Sequence, residues 1–340
     1  MSEALTTSNR TDAVDEPPAP PSPSDLRRRI GRWCSGTLLM AVSAPVGCRL
    51  GGVDGVTPAP QLLAFLPWLL VPGAVGLGLA VGARWQLGIA WGAVVLAVTG
   101  TLLRPYGGEG PVARGPVAAQ LRILSANLEF GQATPGLLQA LRRDRPDLVS
   151  VQECSPDVCA AALDSAEVRA AYPYRVVTGD GRAEGSALLS RFPLTEDGEV
   201  RGTLAMPRAV VTVNGVPLRF QVAHPMPPLP GQLGVWRTEL SRLRAVAAAR
   251  GSTATVIAGD FNASQDHAAF RSLLDTGLRD SATTLGHGRT PTWPSLTAPP
   301  LGVQIDHVLV SPALEPRSVR FLDLADTDHR AVLVEAALHR

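Results

Sequence analysis

Polar and apolar positions divide the chain into two textures that meet near residue 104. Before it, charge almost disappears: residues 55–83 and 85–103 are uncharged throughout, interrupted only by Arg84. Both runs exceed the roughly 18 apolar residues that can cross a bilayer. An earlier run, Trp33 to Cys48, contains Pro45 and ends at Arg49, whose side chain could reach outward and extend it to Val53. The pattern predicts an all-α membrane region over 27–104, with transmembrane helices at about 33–53, 60–82 and 85–103. A buried hairpin of an ordinary globular protein is the alternative, disfavoured by the length of the runs. Arg27, Arg28, Arg29 and Arg32 precede the first run, which would keep the amino terminus cytoplasmic. Three spans then place the rest outside, as in a multi-pass cell-membrane protein with an extracytoplasmic domain; two spans would leave that domain in the cytoplasm.

Flanking segments complete this organisation. Residues 1–26 are rich in Ser, Thr, Pro, Asp and Glu, too polar to offset ordering entropy, and are expected to form a disordered cytoplasmic tail. Residues 105–119 are rich in Gly and Pro and are expected to be a linker.

From residue 120 to 340 short alternating runs are interleaved with helix starts. LRILSANL (121–128) alternates as a strand, Thr134-Pro135 opens a helix, and DLVSVQE (147–153) is a second strand. Ser155-Pro156 opens another helix towards Ala171. Strand-like runs follow at YRVV, SALLS, RAVVTV and PLRFQVAH, the last two joined across Asn214-Gly215, a strong hairpin signal. Helices at about 233–250 and 264–274 flank the buried run ATVIAGD, and VQIDHVLVS, SVRFLDL and AVLVEAAL close the chain. Hairpins beside strand-helix-strand units predict an α/β fold of two packed mixed β-sheets flanked by helices, a four-layer sandwich.

Composition changes little. The 340 residues carry a net charge of +1, with no acidic or basic tail that would advertise a polyionic partner. Cys34, Cys48, Cys154 and Cys159 have spacings that fit neither a zinc ribbon nor a disulfide framework. Five residues apart on a helix, Cys154 and Cys159 would lie on divergent faces and stay unpaired.

The chemistry gathers at strand ends. Asn127 closes the first strand, Glu153 the second, and His224 the hairpin return. Asp260 ends ATVIAGD with Asn262 just beyond it, Asp306 lies in VQIDHVLVS, and Asp328-His329 precedes the last strand. A carboxylate closing an apolar run is costly unless it is paired or binds a cation. Singly each has an ordinary reading as a turn cap; together they suggest one site built from strand termini. His307, next to Asp306, should face the opposite way and pack. Glu239, Arg242 and Arg244 read as the solvated face of a helix.

The segments SANLEF, LVSVQE, SALLSRFPL, QVAHP, IAGDFNAS, IDHVLVS and TDHRAV, in this order, resemble the endonuclease/exonuclease/phosphatase superfamily, which shares the fold of pancreatic deoxyribonuclease. The apolar runs, VTPAPQLLAFLPW and AHPMPP further resemble a membrane-anchored bacterial branch. The resemblance implies that Asn127, Glu153 and Asp328 hold Mg2+ or Mn2+, with Glu129 beside them. It also implies that Asp260 activates a water, that Asn262 donates a hydrogen bond, and that His224 and His329 bind the phosphoryl group, with Asp306 orienting His329. Arg191 matches a frequent family position, for substrate or structure. Apart from the resemblance, Trp293 in TPTWP could stack on a substrate or merely pin a loop, and its loop position favours substrate.

The expected function is therefore a membrane-anchored, metal-dependent phosphodiesterase or phosphatase. Its partner would be a phosphoester substrate with a lipid, small-molecule or nucleic-acid leaving group; no protein partner is implied. A DNA or RNA endonuclease is one alternative, although residues 118–340 hold 22 Arg against 23 Asp and Glu, without the basic excess of a tight polynucleotide binder. A non-catalytic extracellular binding module is the other.

Overall fold

A computed structural model describes residues 22–108, 110, 115–297 and 300–340; most of the expected tail and part of the expected linker lie outside the described residues. The chain opens with helices α1 (Pro23–Leu50), α2 (Ala59–Ala64), α3 (Leu70–Gly82) and α4 (Gln86–Leu102). Next come β1 (Val117–Asn127), α5 (Thr134–Asp144), β2 (Leu148–Gln152), α6 (Ala161–Leu163), α7 (Ala166–Ala171), β3 (Tyr174–Thr178), β4 (Ser186–Ser190) and β5 (Leu194–Glu199). Then follow β6 (Pro207–Val213), β7 (Val216–Ala223), α8 (Leu233–Ala248), β8 (Ala254–Asp260), α9 (Ala268–Leu274) and β9 (Arg279–Asp280). The last elements are α10 (Ser281–Thr284), β10 (Asp306–Val310), β11 (Leu314–Asp323) and β12 (Arg330–His339).

The strands form two six-stranded sheets, ordered β11-β12-β1-β2-β4-β3 and β5-β6-β7-β8-β10-β9. Both are mixed: β1 with β2 and β7 with β8 are parallel, the other pairs antiparallel. Their facing sides meet in one dry core that includes Ile123, Leu188, Val211, Phe220, Val256 and Val334. Alternation along each strand makes this possible, since every second side chain points to the other sheet. The outer side of the first sheet is covered by α5, α6 and α7 over Leu124, Val149 and Leu189. The second is covered by α8 and α9 over Ile257 and Leu309. This is the four-layer α/β sandwich that the alternation predicts.

The amino-terminal region departs from expectation. Among the described residues no helix is long and apolar enough to cross a membrane, which overturns the three-span, multi-pass placement and the side assigned from it. α1 has the length but carries Arg27, Arg28, Arg29, Arg32 and Arg49. The uncharged run 55–83 is no single helix; it breaks into α2, a 3-10 turn Leu66–Leu69 and the 13-residue α3. At 1.5 Å per residue, α3 and the 17-residue α4 are about 20 and 26 Å long, short of a hydrocarbon core about 30 Å thick. The apolar positions instead pack on one another around Val42, Val46, Leu63, Leu66, Leu69 and Val95, and Ser35 Oγ donates to Gly76 O at 2.7 Å between α1 and α3. The outer face leaves Trp33, Met40, Val71, Leu87 and Val94 exposed.

This helical unit docks on the sandwich through polar contacts. The Asp54 carboxylate accepts from the backbone N–H groups of Ala268 and Ala269 at 2.6 and 3.1 Å. Asp266 is fully buried between Arg49 at 3.4 Å and Arg289 at 2.6 Å. Arg289 also donates to Leu103 O at 3.2 Å, and His267 Nε2 donates to Pro60 O at 2.8 Å.

Candidate active site

The register of the sheets decides where the polar strand ends go. Asn127 pairs with Gln152 across the parallel β1–β2 ladder, which sets Glu153 one residue beyond. Asp306 pairs with Asp260 across β8–β10. β7 runs parallel to β8, so His224 emerges beside Asp260. One end of the sandwich therefore collects residues from both sheets. Glu153 and Asn262 both follow strands and take positive φ, 55° and 48°; this uncommon backbone turns each side chain out of the strand's alternation and into the shared cleft.

Hydrogen bonds then fix the arrangement. Asn127 Nδ2 donates to Glu153 Oε1 at 3.1 Å and to Asp260 Oδ2 at 3.3 Å, tying two carboxylates together. The other Glu153 oxygen accepts from Phe130 N–H at 2.8 Å. Asp260 Oδ1 accepts from Asn262 N–H at 2.8 Å, and Asn262 Nδ2 donates to Pro225 O at 3.0 Å. His329 Nδ1 donates to Asp306 Oδ2 at 2.9 Å, while its Nε2 lies 3.8 Å from Asp260 and 3.7 Å from Asp328. His224 Nε2 is 3.9 Å from Glu153. Glu129 Oε2 accepts from Asp328 N–H at 2.7 Å. All nine of these predicted residues converge.

Three supporting residues escaped sequence reasoning. Thr292 Oγ1 accepts from Ile305 and Asp306 N–H groups at 3.0 and 3.1 Å, holding the start of β10. Thr327 Oγ1 donates to Asn127 O at 3.0 Å and accepts from His329 N–H at 3.1 Å, joining β1 to the last motif. The backbone N–H of Phe130 carries no sequence signal at all. Trp293, read as stacking on substrate or pinning a loop, uses its indole N–H to hold Asp328 Oδ2 at 2.8 Å.

Electrostatics separates the roles. Burial pushes the Asp260 carboxyl up to about 7, partly countered by His329, and burial raises Glu153 as well. His329 is buried, which alone would lower it, but Asp306 and Asp260 outweigh this and hold it at about 10. His224, enclosed and facing that charge, falls to about 3 and is neutral. The site thus pairs an imidazole that is charged at neutral pH with a carboxylate poised near neutrality, next to a neutral imidazole. One ligand atom from each of Asp260, Asp306 and His329 lies within 4.8 Å of the others. With Glu153, Asp328 and Glu129 alongside, carboxylates outnumber the single imidazolium. Leaving out His329, whose protonated ring offers no lone pair, the donors are carboxylate oxygens, and that set with its surplus negative charge fits a hard divalent cation.

Two expectations need correction, and Arg191 takes the structural of its two readings. Arg191 follows Ser190, which pairs with Leu148 at the far end of the sheet; it contacts Asp147 at 3.4 Å and is remote from the cleft. Glu239 is buried rather than solvated: Oε1 accepts from Thr203 N–H at 2.6 Å and Oε2 from Met226 N–H at 2.7 Å, anchoring the loop after His224. Cys154 and Cys159 form a disulfide. The turn Pro156–Ala160 is a π-helix, closed by Ala160 N–H on Ser155 O at 3.0 Å; its wider winding brings residues five apart together, with Cα atoms 5.0 Å apart.

The sequence profile described as "Endonuclease/Exonuclease/phosphatase family" matches residues 124–329. Solved structures share the fold. D. rerio TDP2 complexed with single strand DNA product is 18% identical with TM-score 0.53, over 64% of this chain and 99% of that one. The 3'-5' exonuclease of Neisseria meningitidis is 22% identical with TM-score 0.50, over 65% and 100%. The human nocturnin catalytic domain with bound sulfate anion is 14% identical with TM-score 0.51, over 69% and 99%. No curated protein matches the chain.

Proposed function

Because the chain belongs to the endonuclease/exonuclease/phosphatase family, a family of phosphoester hydrolases, we propose that it cleaves its phosphoester by attack of a water molecule held at Asp260. The observation that carries this reading is the convergence of Asp260, Asp306 and His329, with His224 and Asn262 completing the ring. Asp260 takes the water's proton as its oxygen bonds to phosphorus; the bond to the leaving ester oxygen breaks, and that oxygen gains a proton from solvent. Asn262 orients the water or the pentacovalent phosphorus oxygens. His329, kept charged by Asp306, lies where the phosphoryl group gains negative charge, and His224 donates a neutral N–H from the other side. Glu153, with Asn127 and Asp328 beside it and Glu129 behind, would hold Mg2+ or Mn2+. A bound divalent cation would polarise a phosphoryl oxygen and offset the carboxylate charge.

The test is hydrolysis of bis(4-nitrophenyl) phosphate by the full chain in Mg2+ or Mn2+. Chelation should abolish turnover, and Asp260→Ala and His329→Ala should each cost roughly 10²–10³ in kcat. Folded variants with wild-type rates would sink this assignment. A nuclease reading draws support from the DNA product in the D. rerio neighbour, while the charge balance of residues 118–340 gives it none.

A further inference from the structure

Where the helical unit meets the sandwich, a cavity of about 450 Å³ opens against the catalytic residues Asn262 and His329. Its size is that of a site for a small organic ligand. One wall comes from the helical unit, with Pro58, Ala64 and Phe65; the facing wall comes from Pro228, Leu229 and Ile305 of the catalytic domain. Trp293 closes one side, its ring 6.5 Å from that of Phe65. Gln61 joins the walls by donating from its amide nitrogen to Pro228 O.

The polar atoms along this surface are largely committed. Asn262 Nδ2 donates to Pro225 O at 3.0 Å. Both His267 ring nitrogens are bonded, to Pro60 O at 2.8 Å and Ser264 N–H at 2.9 Å. The Trp293 indole N–H is spent on Asp328. Gln61 Oε1 is a buried acceptor left without a partner. A nucleobase edge brings several donors and acceptors that would be stranded here, each at a desolvation cost. An aliphatic chain brings none and gains by leaving water.

We infer that this cavity is the subsite for an aliphatic ester group, so that the chain acts on phosphoesters of a hydrophobic alcohol and the helical unit forms one wall of its specificity pocket. The inference rests on the phosphoester-hydrolase reading for its phosphoryl end. Continuity with His329 and Asn262 supports it, because an alkyl group attached to a phosphate held at those residues has the cavity directly beside it.

The experiment measures the affinity of the full chain for methyl, butyl, hexyl and octyl phosphate by titration calorimetry in Mn2+, with geranyl phosphate as the branched isoprenoid arm. In parallel, kcat/KM is compared for the methyl and octyl esters of 4-nitrophenyl phosphate and for thymidine 5′-(4-nitrophenyl phosphate). Affinity should rise about three- to fourfold per methylene until the cavity is filled, and Ala64→Trp should flatten that slope. Should Ala64→Trp not fold, Leu229→Asn, at a half-exposed position, tests the same wall. A rise for octyl alone marks a straight-chain occupant and a rise for geranyl an isoprenoid; both support the subsite. Affinity independent of chain length, a slope unchanged in the folded variants, or faster turnover of the thymidine ester than of the octyl ester overturns it. Length-dependent affinity without turnover of any ester would leave the subsite standing and remove the hydrolase reading; turnover with flat affinity would do the reverse.

Discussion

Asp306 and His307 are neighbours with opposite fates. Alternation along β10 sends Asp306 into the cleft against His329, and sends His307 the other way, its ring 4.4 Å from that of Phe270 and its Nε2 on Ala263 O at 3.0 Å. Both directions follow from the period of a strand. Glu239 was misread: three residues after Trp236 and four before Leu243, it lies on the buried stripe of its helix, and its two backbone partners come from loops that sequence spacing does not place. Asp306 offers a test by pH. In the wild type the His329 imidazolium persists until pH approaches about 10, so activity that needs the charge is present below that value and is lost as pH rises through it. Asp306→Asn removes the largest upward influence, so burial is opposed only by Asp260 and Asp328 and the His329 pKa should fall below about 10. The alkaline limb should then move to lower pH, with a loss of up to roughly 10² in kcat at alkaline pH that narrows as pH falls. A pH–rate profile of the variant checks this; an unshifted alkaline limb would remove His329 from the charge-stabilising role.

Elements were legible where period and turn chemistry agreed. ATVIAGD and SALLS are β8 and β4 residue for residue, and Asn214 and Gly215 take φ of 48° and 82° in the turn between β6 and β7. Only Gly reaches the second of these without strain, so Gly215→Val should cost about 1–2 kcal/mol, seen as a lower urea midpoint with an unchanged m-value. β5, LTEDGE, was not anticipated, because an edge strand can be polar on both faces and then has no alternation to detect. The turn after β2 was misread as a regular helix. Its π winding pairs Cys154 with Cys159, directly after Glu153, and closing so short a loop still contributes about 2 kcal/mol. Cys154→Ser with Cys159→Ser should lower unfolding stability by about that amount in equilibrium denaturation.

At the scale of the molecule, the joint between the helical unit and the sandwich is ionic and buried. Asp266 pairs with Arg49 and Arg289 at once, with no solvent exposure of its own. Asp266→Ala leaves two cations facing each other at the joint and should cost about 3 kcal/mol, with the loss measurable in urea unfolding of the full chain. The same joint explains the membrane misreading. Apolarity of residues 55–83 and 85–103 records that their side chains leave water; it does not record what replaces the water. Here the run breaks into short helices that bury their apolar faces against α1, against each other, and in part along the cavity beside His329. The polar residues of the cleft show the converse. Sequence by itself determined the alternation, the sandwich, and which polar residues stand at strand ends, because period-2 patterning and the cost of buried charge are local properties. Tertiary structure alone decided that nine of those residues share one cleft while Arg191 does not, that a π turn closes a disulfide, and that the apolar runs form a wall of a pocket. These depend on sheet register and on contacts between elements far apart in the chain, which composition and spacing do not encode.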